Sequence, residues 1–206
     1  MNLVNGSLLR LILAQISIHA CMTGMRMATP LLALREGYSP AAVGVLLALF
    51  ALTQVFLSLP AGRYADRHGL KRPLAISVVA ASLGAGLAVI FPVYPVLCLA
   101  ALLSGGASGA AIIALQRHVG REAHDKVTLR KVFSWLAIGP AVSNFLGPFM
   151  AGLLIDYAGG EAASTTGFRA AFLLMALLPL SAWLWVRTVA EHASEPTPSS
   201  PRSGTA

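Results

Sequence analysis

The sequence predicts an all-α membrane protein with six transmembrane helices. Three observations carry that reading. Of the 206 residues, 56% are hydrophobic and only 11% are charged, against about 25% charged in a soluble domain. The apolar residues gather into six runs, each long enough to cross a hydrocarbon layer of about 30 Å. The basic residues fall in short segments between those runs, and mostly on one side. A net charge of +7 raises nucleic acid as a partner. No aromatic residues are interleaved with the basic ones for stacking, so no nucleic acid is expected. The expected surroundings are a lipid bilayer.

Residues 1–7 form a short polar lead. The first span covers about residues 8–34, carries Arg26, and is expected to bend at Pro30. It is too long for a signal peptide and lacks a cleavage-like end. Ile18-His19-Ala20-Cys21 has the outline of a lipoprotein cleavage site, but His19 fits it poorly and no soluble domain follows. Residues 35–38 make a short outer loop. Ser39 then Pro40 read as an N-cap followed by a first-turn proline, so the second span starts there and ends near Pro60. A polar loop of residues 62–72 follows. The third span is about 73–91, with Gly84 and Gly86 as packing positions, and 92–95 is an uncharged turn. The fourth span is about 96–115, where Gly105, Gly106 and Gly109 allow close helix approach. Residues 116–131 form the second charged loop. The fifth span is about 132–157, with Asp156 at its outer end, and 159–167 is a polar outer loop. The sixth span is about 168–186, with Trp183 and Trp185 in the interfacial belt. The bundle thus occupies residues 8–188. The tail, 189–206, is rich in Pro, Ser and Thr and is expected to be disordered.

Orientation follows from the basic residues. Twelve of the fifteen Lys and Arg lie on one side, Arg35 and Arg169 lie on the other, and Arg26 is within a span. Six spans with this asymmetry place both termini in the cytoplasm, in a bacterial-type inner (plasma) membrane. Cys21 and Cys98 sit inside apolar runs and read as small hydrophobes. No metal site and no cofactor are expected.

The most informative stretch is Gly62-Arg63-Tyr64-Ala65-Asp66-Arg67-His68-Gly69-Leu70-Lys71-Arg72-Pro73. Gly62 has no side chain to hold helices apart. Asp66 and Arg67 stand where a helix meets the membrane face, a position suited to ion pairs and helix-dipole contacts. Gly69 supplies the positive φ of a tight turn. Lys71 and Arg72 are charges that stay in the cytoplasm, and Pro73 suits a first helical turn. Gly, three residues, Asp-Arg, one residue, Gly and then a basic pair resembles the signature between helices two and three of the major facilitator superfamily. Gly62, Asp66, Arg67, Gly69, Lys71 and Arg72 all match it. With six spans, residues 8 to 188 resemble the amino-terminal half of such a transporter. That implies two three-helix inverted repeats, although no residue match between spans one to three and four to six is visible. In the fifth span, Gly147-Pro148-Phe149-Met150-Ala151-Gly152 is similar to a Gly-Pro-x-x-Gly-Gly element of many antiporters. Ala151 replaces one glycine, and Ser143 stands where an upstream glycine is usual. A helix-packing face with a proline kink explains Gly147, Pro148 and Gly152 equally well.

The resemblance implies secondary transport of a small solute by two rocking bundles around a midplane site. It implies that Asp66 contacts a helix end of the second bundle. Arg67 would join a charge network with the loop after helix four, where Glu122, Asp125 and Arg121 are the available partners. That network would hold one state together and break as the bundles rock. Among span residues, Arg26 lies sixteen positions beyond Arg10, so about 24 Å along the helix. A charge at that depth points to an anionic group on the solute or to a carboxylate in the path, against a structural arginine that snorkels. No span carries a deep Asp or Glu, so His19 is the one group placed to titrate there. Gln54, Asn144 and, less so, Gln116 are neutral groups that line a cavity or bond between helices.

An enzyme is not expected. Gly106-Ala107-Ser108-Gly109 matches a motif of rhomboid intramembrane proteases, whose histidine base comes from the sixth helix. Here that span holds no histidine, and His192 lies in the tail. The family normally has twelve spans, which leaves three explanations of six. These are a truncated half, favoured by the linker-like tail, a separately encoded second half, and a homodimer. A non-transporting membrane interaction subunit is the alternative function.

Overall fold

The computed structural model describes residues 6–122, 126–158 and 165–189. Residues 1–5 of the lead, Asp125, most of the outer loop 159–167 and the tail from 190 on, with His192, lie outside the described residues, as does the side chain of Glu122. The described residues form seven helices: α1 Gly6–Arg35, α2 Pro40–His68, α3 Lys71–Ile90, α4 Tyr94–Glu122, α5 Lys126–Leu136, α6 Ile138–Tyr157 and α7 Thr166–Val186. Six segments are long and apolar enough to cross a membrane, the fifth being Leu129–Tyr157, made of α5 and α6 joined at Ala137. The chain is a multi-pass membrane protein, all-α and with six spans, as expected.

Local chemistry sets the helix ends. Ser39 caps α2: its Oγ accepts from the Ala42 amide at 3.3 Å, and Pro40 occupies the first turn. Gly69 closes α2 at φ +72°, and its N–H donates to the Ala65 carbonyl at 3.1 Å. That backbone region disfavours any residue with a Cβ. Three boundaries differ from expectation by more than two residues. Helix α2 continues through Gly62 to His68, so the first half of the signature is helical rather than loop. Helix α4 continues to Glu122, which makes Gln116–Glu122 helical as well. The fifth span starts earlier, and its first part, α5, is a separate amphipathic helix. The common reason is length. The 29 residues of α2 and of α4 each reach about 44 Å, beyond a hydrocarbon layer of about 30 Å. Their polar ends stand in the headgroup region, where charge is compatible with helix. Pro30 lies within a continuous α1.

The packing has an internal order. Helix α1 packs on α6 and α7, α4 packs on α2 and α3, α3 meets α7, and α1 meets α4. Exchanging spans one with four, two with five and three with six maps these neighbours onto themselves. An odd number of spans per unit inverts the second unit relative to the first, so this is the packing of two three-helix inverted repeats. Glycines place the crossings. A Cβ on Gly147 of α6 would meet Thr23 Oγ1, lie 2.5 Å from the Ala20 carbonyl and 2.8 Å from the Gly24 amide of α1. A Cβ on Gly105 of α4 would meet the Phe50 carbonyl of α2 and lie 2.9 Å from its Cα. Among lipid tails, close packing of this kind is what associates helices. By contrast, Gly86 has nothing within 4 Å of the same position.

Candidate functional site

Depth along each helix brings the polar span residues to one level. His19 is thirteen residues into α1 and Ser108 is fourteen residues into α4, so each lies about 20 Å from its helix start. The His19 Nδ1 and Ser108 Oγ are 2.9 Å apart and buried. Ser108 is 0% exposed and His19 9%. Gln54 of α2 is also fourteen residues from its helix start, and it packs on Gly109: a Cβ there would lie 3.3 Å from Gln54 Cγ. Asn144 of α6 sits midway along the fifth span and is exposed, while Gln54 is half-buried. Four spans therefore each place an uncharged polar side chain at the middle. In the repeat exchange, His19 corresponds to Ser108 and Gln54 to Asn144.

The contact between His19 and Ser108 corrects one step of the sequence reading. The sixth span offers no histidine to the Gly-x-Ser-Gly motif, but α1 does, from 89 positions away. A nucleophile needs an open approach for substrate as well as a base. Ser108, fully buried between helices, has none, so the pair is an interhelical hydrogen bond.

The signature forms a second site at the end of the bundle where basic residues concentrate. Gly62 and Asp66 are four residues apart on α2, hence on one helix face. Opposite them, Arg117 and Arg121 are four apart on α4. Arg117 Nη1 donates to Asp66 Oδ2, and Arg121 Nη2 donates to Asp66 Oδ1 at 2.7 Å. A Cβ on Gly62 would lie 2.9 Å from Arg117 Nη2 and 3.3 Å from its Cζ. The guanidinium thus lies across Gly62 to reach Asp66. This differs from the expectation that Gly62 brings two backbones together: it makes room for a side chain. Arg117 first, and Arg121 with it, hold the Asp66 carboxyl below the usual carboxylate range against a smaller opposing effect of burial.

Sequence reasoning missed Arg117 as a partner and offered Arg121 only as one of three available members of the Arg67 network, beside Glu122 and Asp125. The usable signal was the matched spacing, Gly62 with Asp66 against Arg117 with Arg121. Arg67 and Arg72 are exposed, and Arg67 forms no ion pair among the described residues. Lys71 is half-buried in the first turn of α3. Gly69 is the expected turn residue.

The remaining candidates have distinct surroundings. Arg26 is exposed on α1. Gly147 is the tight crossing point of α1 and α6, whereas Gly152 is looser, with a Cβ position 3.3 Å from Met27 Cε. Pro148 lies inside α6 without ending it. Nearby, Thr23 Oγ1 donates to the Ser143 carbonyl at 2.8 Å and Ser143 Oγ donates to the Ile16 carbonyl at 3.2 Å. Ser143, standing where a glycine is usual, therefore bonds the two helices together.

Comparison with known proteins adds two findings. The family model described as Major Facilitator Superfamily matches residues 11–205. The tetracycline resistance protein, class B, of Escherichia coli is 33% identical over 146 residues, which are 70% of this chain and 34% of that protein. The chain thus spans about a third of the length of that curated relative.

Proposed function

This chain belongs to the major facilitator superfamily, and on that premise we propose that it carries out secondary active transport of a small solute by alternating access. The observation that supports this best is the midplane layer, in which four spans from two inverted repeats each contribute an uncharged polar group, Gln54 and Asn144 being partly open while the buried Ser108 holds His19 in place. Uncharged polar side chains at that depth serve a solute and do not disturb insertion of the helices. Both termini face the cytoplasm of a bacterial-type inner membrane, because the basic end is the one that stays inside.

In this reading the seat at Gly62 and Asp66 is the cytoplasmic latch. It ties the end of α2, in one repeat, to the end of α4, in the other. An ionised carboxylate has about four acceptor positions, and the two arginines use two. The others are free for a helix end of a second bundle, the contact that the resemblance implies. The exposed faces of α2 and α6, with Val55, Phe56, Leu59 and Phe145, suit that second bundle, supplied by a further six-helix half or by a second copy. Rocking breaks the latch and opens the midplane layer to the cytoplasm.

The relative's name makes tetracycline a first solute to test. Cells carrying the gene are compared with cells carrying Asp66→Asn at equal membrane abundance. The expected result is gradient-dependent movement of solute that falls at least tenfold in the variant. Equal flux in the two would contradict the latch, and no gradient-driven flux of any solute would contradict transport. The broad apolar faces also favour a second reading, a non-transporting interaction subunit, which flux would exclude.

A further inference from the structure

Helix α1 is enclosed by its neighbours. From Leu11 to Pro30 every residue is buried or half-buried except Arg26. Arg26 is seven positions beyond His19, within about 20° of two full turns, so the two share a face about 10 Å apart along the axis. At His19 that face meets Ser108 of α4. Beside Arg26, Met27 meets Gly152 of α6. The one opening along α1 between Leu11 and Pro30 is therefore flanked by α4 and α6, the helices that also carry Ser108 and Asn144, and a cation stands in it.

Nothing within the described residues neutralises that cation, since Arg26 forms no ion pair among them. Asp66 is engaged at the basic end, and Asp156 is exposed at the far end of α6. The midplane layer below Arg26 is uncharged, and its amides both donate and accept hydrogen bonds. A cationic solute would meet an uncompensated positive charge at this opening. A solute with one negative charge and a polar body meets a fixed counter-charge and then neutral partners.

We propose that the solute is a small organic monoanion, its carboxylate held by Arg26 and its polar remainder by His19, Gln54 and Asn144. This rests on the transport reading, and it narrows that reading to a substrate class. A guanidinium offers a carboxylate two parallel N–H donors, so the contact is directional as well as electrostatic.

The test uses the protein as its gene encodes it, in liposomes, with acetate, lactate, benzoate and salicylate, each paired with its neutral amide. Thermal stabilisation reads binding, and labelled flux reads transport. At least one acid is expected to stabilise the protein while its amide does not. Arg26→Gln should weaken that acid about tenfold or more, and Arg26→Lys should retain part of the effect. Stabilisation by amides equal to that by acids, an Arg26→Gln variant that binds as wild type, or no response to any acid would each overturn the inference. An acid that binds through Arg26 but is not moved would overturn transport and leave the anion site standing. A neutral solute moved normally by Arg26→Gln would do the reverse.

Discussion

The two close helix crossings occupy equivalent places in the repeats, yet they are fastened differently. Where α1 crosses α6, backbones touch at Gly24 and Gly147, and hydrogen bonds join the helices at the contact. Thr23 donates across to the Ser143 carbonyl, and Ser143 donates back to the Ile16 carbonyl. Where α2 crosses α4, Gly105 and Gly106 lie against Phe50, Thr53 and Leu57. Among the described residues no side-chain hydrogen bond joins the helices there. Thr53, whose counterpart under the exchange of repeats lies on α6 beside Asn144, bonds to the Leu49 carbonyl of its own helix at 3.4 Å. Helices α2 and α4 are joined at their ends instead. Tyr94 donates to the Ala42 carbonyl at 2.9 Å at one end, and Asp66 takes Arg117 and Arg121 at the other. One crossing is pinned in the middle, and the other is a smooth contact with fastenings at its rims. A smooth contact permits pivoting once a rim is released, and a pinned one does not.

The largest effects should come from filling the crossings. Gly147→Ala and Gly105→Ala each push a methyl into backbone atoms that have no room to yield, and each should cost about 3 kcal/mol. Thermal unfolding in detergent checks this, with Gly86→Ala as the control that is neutral or slightly stabilising. Wild-type melting of either crossing variant would break the comparison. The next effect separates the two crossings. Thr23→Val should cost about 1 kcal/mol, because it leaves a buried link unmade, while Thr53→Val should change little. Equal losses would mean that both crossings are pinned. The smallest effect on stability belongs to the latch. Asp66→Asn and Gly62→Ala should each cost less than about 1 kcal/mol, since the pair is exposed and screened, yet both should lower transport. Because Asp66 is held below its ordinary range, the latch contribution is present above the unfolded carboxylate value of about 4 and is lost only as pH falls below that. Flux that survives in Gly62→Ala would show that the guanidinium needs no seat.

Much of this was legible in the chain, and the limits have physical causes. Ser39-Pro40 and Gly69 announced their roles because caps and turns depend on neighbours within four residues. Six spans followed from composition, and the signature pointed to the family. The helical nature of Gly62 to His68 was not legible, since a helix end in the headgroup region has the polarity of a loop. The position of Arg26 along α1 followed from the helical rise, but its exposure depends on which helices flank α1. The links from Asp66 to Arg117 and from His19 to Ser108 span 51 and 89 positions. Local pattern carries no information at that range. The repeat symmetry, invisible in residue identities, lies in neighbour relations and in glycines placed at equivalent crossings.

The most direct test of the pivot is a pair of spin-label distances at the basic end, with Cys21 and Cys98 replaced by serine. One pair, at Leu59 and Gln116, spans α2 and α4. The other, at Leu9 and Ile138, spans α1 and α6. All four positions are exposed. Asp66→Asn is predicted to lengthen and broaden the first distance while leaving the second unchanged. Equal changes in both distances, or an unchanged first distance, would contradict the account.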